Sequence, residues 1–295
     1  MRRSTRIVTT LSVFLALTCI LQSQQPTKTV SVDVDVVLIP TTVTNEGSQY
    51  VGGLEKRHFQ IFEDKVQQEI TYFSTEDAQM SLGIVLDSSG SMKEIMNPAR
   101  RNGSACMNMG TDEDEYFLMV FSDNLKVNTD FTTDLQKLRM QLLTVKSTGN
   151  TALYDAIYAG LAKVREGTHP RKALVVVSDG YDNHSRYSGR NLREALRETD
   201  VQLYLIGNRG DGALTSLAES TGGRALTPQS QTYELGNICT EIVKNLKNQY
   251  VIGYKSTNRS SDGKWRNVRV KLDPPGGLKL NVRSRTGYYA PTAKN

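Results

Sequence analysis

The chain has 295 residues, 36 Lys and Arg against 31 Asp and Glu, and a formal charge of +5. That length exceeds one ordinary domain, and the near balance of charge excludes the strongly basic footprint of a nucleic-acid binder. Part of the basic excess sits in the first six residues: Arg2, Arg3 and Arg6 lie in a segment without acids, and a chain lacking that segment carries +2.

Residues 1–6 are basic and residues 7–21 mostly apolar, followed by small or polar residues. The run is short for a membrane span, so residues 1–23 read as a secretory signal peptide cleaved near Ser23. An uncleaved anchor is the alternative, and a lipoprotein on Cys19 a further one, although Ala16-Leu17-Thr18 is a poor lipobox. The expected location is therefore periplasmic or secreted, with membrane contact only through this segment if it is retained. After a polar linker at 24–28, Val30, Val32, Val34 and Val36 alternate with Ser31, Asp33 and Asp35, the period of a half-buried strand. Further β-type runs lie at 60–62 and 69–73, with turn signals at 45–47, 52–53 and 63–65. This N-terminal β segment, 24–78, is too short to make a sandwich. The tail, 249–291, supplies β-like runs at 250–254, 266–272 and 278–283. Both ends are therefore expected to pair into one small β-sandwich with residues 79–248 inserted between them. Two separate β extensions are the alternative.

The insert centres on residues 81–91, SLGIVLDSSGS, where an apolar run ends in Asp87 and a turn presents Ser89 and Ser91. A continuous apolar strand belongs to a sheet covered on both faces, and ligands of such sheets bind beyond the carboxyl ends of the strands. Taken alone, D-x-S-x-S is equally a strand-to-helix turn capped by Ser. Strands at 117–121 and, as an antiparallel edge, 126–131 follow, then a helix at 134–145. In TGNTALYDA, 148–156, Thr151 stands at the mouth of a helix carrying Leu153, Ile157, Leu161 and Val164 at helical spacing. LVVVSDGYD, 174–182, is a second apolar strand ending in an acid, Asp179. A strand at 202–206, a helix at 213–220 closed by Gly222, and an amphipathic helix at 235–246 complete the alternation. The fold class is α/β, a doubly wound, mostly parallel, Rossmann-like sheet.

These three motifs, over residues 80–248, resemble a von Willebrand factor type A domain with a metal-ion-dependent adhesion site. By that resemblance Ser89, Ser91 and Thr151 contact a metal, and Asp87 and Asp179 act on it directly or through water. Hard oxygen donors suit one Mg²⁺ or Mn²⁺, which keeps open positions. The implied function is an exported, adhesion-type module that captures a Glu or Asp side chain of a protein partner, without enzymatic activity. The layout before and after the insert also resembles a group of bacterial exported type-A-related proteins with no agreed function. The alternatives are a metal-dependent hydrolase, for which no nucleophile and base pair stands out, and a scaffold with a purely structural metal.

Asp155, one helical turn after Thr151, and Asp182 are candidates just outside the metal's own ligands. Pro98 and Gly103 predict a kinked or split helix after Ser91. Cys106 and Cys239 either pair or lie buried as small apolar residues. His58, His169 and His184 lack metal-ligand spacing; only His184 could border the site, and an exposed loop position is the plainer reading. An Arg-Gly-Asp at 209–211 is explained by chance. The tyrosines of the tail fit strand packing as well as a binding face.

Overall fold

Alternating and β-branched residues near the start of the described chain form β1 (Val36–Thr44), β2 (Phe59–Glu63), β3 (Val66–Gln68) and β4 (Ile70–Ser74). The computed structural model describes residues 36–75, 77–108, 110–180, 182–207, 212–226 and 234–292. The expected signal peptide, the linker, Val30 to Val34 and the Arg-Gly-Asp tripeptide lie outside the described residues. Asp64 and Lys65 both have positive φ, as a two-residue hairpin turn between β2 and β3 requires. This turn was read from the sequence, whereas strand β3 was not.

The insert then runs β5 (Met80–Asp87), α1 (Met96–Asn108), β6 (Glu115–Phe121), β7 (Leu125–Thr132), α2 (Leu135–Thr144), α3 (Leu153–Val164) and β8 (Arg171–Val177). It continues with α4 (Gly189–Arg197), β9 (Gln202–Ile206), α5 (Gly212–Ser220), β10 (Arg224–Leu226) and α6 (Glu234–Lys247). Its six strands lie in the order β10-β9-β8-β5-β6-β7, parallel except for the antiparallel edge pair β6 and β7. Along β5, Leu82, Ile84 and Leu86 pack into one core with residues of α1, α2 and α6. Val85 faces the other core, with α3, α4 and α5. Burial on both faces is why β5 reads as an unbroken apolar run.

The tail adds β11 (Tyr250–Lys255), β12 (Trp265–Leu272), β13 (Asn281–Ser284) and β14 (Gly287–Tyr289). They interleave with the first strands to make two antiparallel sheets, β13-β1-β11-β4 and β14-β12-β2-β3. Ile39, Ile61, Ile252, Tyr250 and Tyr254 share the core between them. The two ends of the chain thus form one sandwich, as the sequence predicts. The Tyr254 and Tyr288 hydroxyls donate to the buried Glu63 carboxylate at 2.7 and 2.8 Å, so these tail tyrosines serve packing.

One expectation is corrected and one element is added. The helix after Ser91 is not broken at Pro98 or Gly103. A one-turn 3₁₀ segment at Gly90–Lys93 comes first, and α1 then runs unbroken, with Pro98 in its first turn, where no helical N–H partner is lost. Between Asp182 and Gln202 the sequence reading has no helix, yet α4 stands there, capped by Ser188 and Asn191 with Leu192 and Leu196 buried. The open question over the cysteines is answered: Cys106 of α1 and Cys239 of α6 form a disulfide.

At the amino ends of the parallel strands, charges are paired. The Asp114 carboxylate accepts from Met80 N–H at 2.9 Å, Thr111 N–H at 2.6 Å and the Lys247 ammonium at 2.9 Å. Burial pushes its pKa up, but Lys247 and these N–H groups outweigh that and hold it below the ordinary carboxylate value. The Arg171 guanidinium donates to the final carbonyls of α6, Leu246 at 2.6 Å and Lys247, and to Gln249. Gln249 in turn donates to Thr42 of β1 and to Gln202 of β9, tying sandwich and insert together.

Candidate functional site

The strand order reverses at β5, whose neighbours are β6 on one side and β8 on the other. The crevice beyond the carboxyl ends of β5 and β8 is therefore where an α/β sheet places a ligand. Leu86 pairs with Val177 in register, so the next residues, Asp87 and Ser178, emerge side by side. The Ser178 hydroxyl donates to Asp87 Oδ2 at 2.6 Å and accepts from Gly180 N–H, while Asp87 Oδ1 accepts from Ser89 N–H at 2.8 Å. That last bond folds the turn back, bringing the Ser89 and Ser91 hydroxyls to 3.0 Å from each other.

The loop holding Thr151 is bound to the same turn. Thr148 N–H donates to Ser88 O at 2.7 Å, and Gly90 N–H to Gly149 O at 2.9 Å. Gly149 has φ of +87°, and a Cβ there would collide with Asp123, so only glycine fits. Asp123 Oδ1 accepts from the backbone and side-chain amides of Asn150, which lower its pKa. Thr151 is buried; its N–H donates to Asn183 Oδ1, and its carbonyl accepts from the N–H groups of Asn183 and His184. His184 is tied to the site through its backbone, and its exposed side chain is near enough to Asp123 to help hold that carboxyl down.

Asp182 and Asp155 occupy a layer behind these oxygens. The residue before α3 is Ala152, whose side chain offers no cap; Asp182 Oδ1 takes that part, accepting from Leu153 N–H at 2.8 Å and Tyr154 N–H at 3.3 Å. The buried Asp155 carboxylate accepts from Arg186 and Tyr187 N–H groups at 2.9 Å each. The two acids fasten the 182–187 loop to the start of α3. Ser178, Asp123, Gly149 and Asn183 were not singled out from the sequence. Asp123 carried a legible signal, since it follows an apolar strand as Asp87 does.

Asp87 is fully buried and Asp179 is 9% exposed, yet neither has an ion pair among the described residues. Burial pushes the Asp87 carboxyl up and the Asp179 charge adds to it, against hydrogen bonds from Ser178 and Ser89. Asp179 Oδ1 is buried without any hydrogen-bond partner among the described residues. An orphaned anionic oxygen costs several kcal/mol, roughly, unless a donor or cation meets it. Two carboxylates and three hydroxyls are hard donors, and this set fits Mg²⁺ or Mn²⁺. Among the described residues no group of three or more His, Cys, Asp and Glu converges.

The structure of a von Willebrand factor type A protein from Catenulispora acidiphila is similar to this chain, with a TM-score of 0.52 at 11% identity, covering 87% of this chain and 74% of that one. BatB from Bacteroides thetaiotaomicron aligns over 57% of this chain and 99% of its own, at 17% identity and a TM-score of 0.48. The PilB minor pilin from Streptococcus sanguinis aligns over 59% and 63%, at 14% identity and a TM-score of 0.49. No curated protein matches the sequence. The von Willebrand factor type A domain model matches residues 81–241, more than half of the sequence. With the doubly wound sheet already described, the chain belongs to the von Willebrand factor type A domain family, whose members typically mediate protein–protein interaction and are generally not enzymes.

Proposed function

We propose that this protein is an exported, divalent-cation-dependent binding module that captures a Glu or Asp side chain of a protein partner. Residues 79–248 form the binding domain, and the strands of 24–78 and 249–291 its platform. Asp87, Ser89, Ser91, Thr151 and Asp179 would hold one Mg²⁺ or Mn²⁺. The ion would supply the positive charge that two buried carboxylates lack, together with a vacant coordination position for a partner oxygen. Asp87, held by Ser178, fixes the serine turn; the bonds from residues 148–150 to the serine turn and Asp123 seat Thr151; Asp155 and Asp182 keep the facing loop in register. Pre-positioned donors reduce the ordering cost of binding. Export rests on the basic and apolar first 23 residues. Among the described residues no helix is long and apolar enough to cross a membrane.

The observation that carries this reading is Asp179 Oδ1, buried and unpartnered beside a second buried carboxylate. The test is capture from an envelope extract on immobilised protein, in Mg²⁺ and in chelator. A protein retained only with Mg²⁺, and lost with Thr151→Ala, supports it. Retention unchanged by chelator contradicts it, and so does metal-dependent turnover of a hydrolase substrate panel that Asp179→Ala abolishes.

A further inference from the structure

Away from the carboxyl ends of the sheet, a cleft opens between α4 and the sandwich strands β12 and β14. Its narrow part, about 130 Å³, is lined by Arg193, Arg197, Trp265 and Arg285 among others. It shares Arg197, Thr199 and Arg285 with a wider part of about 700 Å³ that adds Arg165, Lys172, Glu198, Asp200, Tyr288 and Tyr289. Five cations therefore face two acids, and none of the five has a carboxylate within ion-pairing distance among the described residues. Lys172 and Arg165 are engaged by backbone carbonyls. Arg193, Arg197 and Arg285 keep their charge without a carboxylate partner.

The guanidiniums of Arg197 and Arg285 are held by aromatic rings. That of Arg197 lies 4.8 Å from the Trp265 ring centre, and that of Arg285 lies 5.7 Å from the Tyr288 ring. Trp265 meets Tyr289 edge to face at 5.2 Å, which gives the cleft an aromatic wall. A guanidinium resting on a ring still presents its N–H edge, the shape that grips a carboxylate or phosphate with two bonds. Arg285 is the more withdrawn: one Nη donates to Leu38 O at 3.2 Å, its Nε is buried without a partner among the described residues, and burial lowers its pKa. Asp200 acts on this cation only from beyond ion-pairing distance, so a desolvated guanidinium with one neutral acceptor is under-compensated, and an oxyanion repairs that.

We propose that this cleft is a second binding site, taking an oxyanion, carboxylate or phosphate, carried on a flat apolar body. Arg197 and Arg285 clasp the anion, and Trp265 and Tyr289 hold the body. Glu198 and Asp200 at the wider mouth repel further negative charge, so a singly charged carboxylate is favoured over a phosphate ester. The site is independent of the metal reading and needs no divalent ion.

Trp265 is the only tryptophan of the chain, so its emission reports on this cleft alone. The probes are benzoate, phenyl phosphate and the uncharged benzyl alcohol, each titrated at constant ionic strength in Mg²⁺ and in chelator. Benzoate gives a saturable change, the same in both buffers; phenyl phosphate binds more weakly, and benzyl alcohol gives none. Arg197 is exposed on α4, and Arg197→Gln keeps the far-UV spectrum while weakening benzoate at least about tenfold, the loss expected for hydrogen bonds to a charged group. Arg193→Gln weakens it less. Equal responses to benzoate and benzyl alcohol, a response that never saturates, or unchanged affinity in Arg197→Gln overturns the site. Tighter binding of phenyl phosphate overturns the carboxylate assignment.

Discussion

The two ends of the parallel sheet handle buried charge in opposite ways. At the amino ends Asp114 is met by Lys247 and two backbone N–H groups, and Arg171 by the final carbonyls of α6. At the carboxyl ends Asp87 accepts only from a hydroxyl and a backbone N–H, and Asp179 Oδ1 has no hydrogen-bond partner among the described residues. Same sheet, same burial, but only the first end is electrically complete. The first network therefore serves stability, whereas the second, on the proposed reading, is completed by a cation.

The largest effect that separates them is expected at the complete end. Lys247→Ala strands the Asp114 charge and lowers unfolding free energy by about 3–5 kcal/mol in denaturant titration, as breaking a buried pair does. Asp179→Asn in chelator is expected to leave stability unchanged or raise it; a comparable loss there would abolish the contrast. The pH dependence follows the same logic. Asp114 has a folded pKa below its unfolded value, so its contribution is full above that ordinary value, 3.8, and is lost as pH falls through the lower folded one. Lys247→Ala flattens that acid limb of the stability profile.

The disulfide is the next largest. Cys106 and Cys239 close a loop of sequence separation 133 between α1 and α6, and the Cys106→Ser, Cys239→Ser pair is expected to lose about 2–4 kcal/mol in the same titration. The smallest effect belongs to the loop behind the site. Asp182→Ala removes the cap that Ala152 cannot supply, with a cost of about 1 kcal/mol, read as faster amide exchange at Leu153 and Tyr154 before any change in global melting.

How much of this could be read from the residues depends on how local the cause is. The placement of Asp87, Thr151 and Asp179 at or just beyond element ends was legible because each adjoins an element whose apolar pattern is strong, and parallel pairing of β5 with β8 sets two of those ends side by side. The sandwich was legible because neither end of the chain holds enough strands alone. Helix α4 was not, since only Leu192 and Leu196 mark its buried face among charged neighbours and its cap depends on a reciprocal Ser188 and Asn191 pair. The reach of Asp182 to α3, and of Ser178 to Asp87, depends on loops meeting across the crevice, which no local period encodes. The cysteines could not be joined on sequence because the helices carrying them meet only through the fold.

The central claim, that the carboxyl end awaits a cation, is tested most directly by isothermal titration of chelator-treated protein with Mg²⁺ and Mn²⁺, beside Asp179→Asn. The account predicts saturable binding of one ion per chain, with a matching rise in melting temperature, both lost in the variant. Absence of binding in the folded wild type, or equal binding by Asp179→Asn, would contradict it.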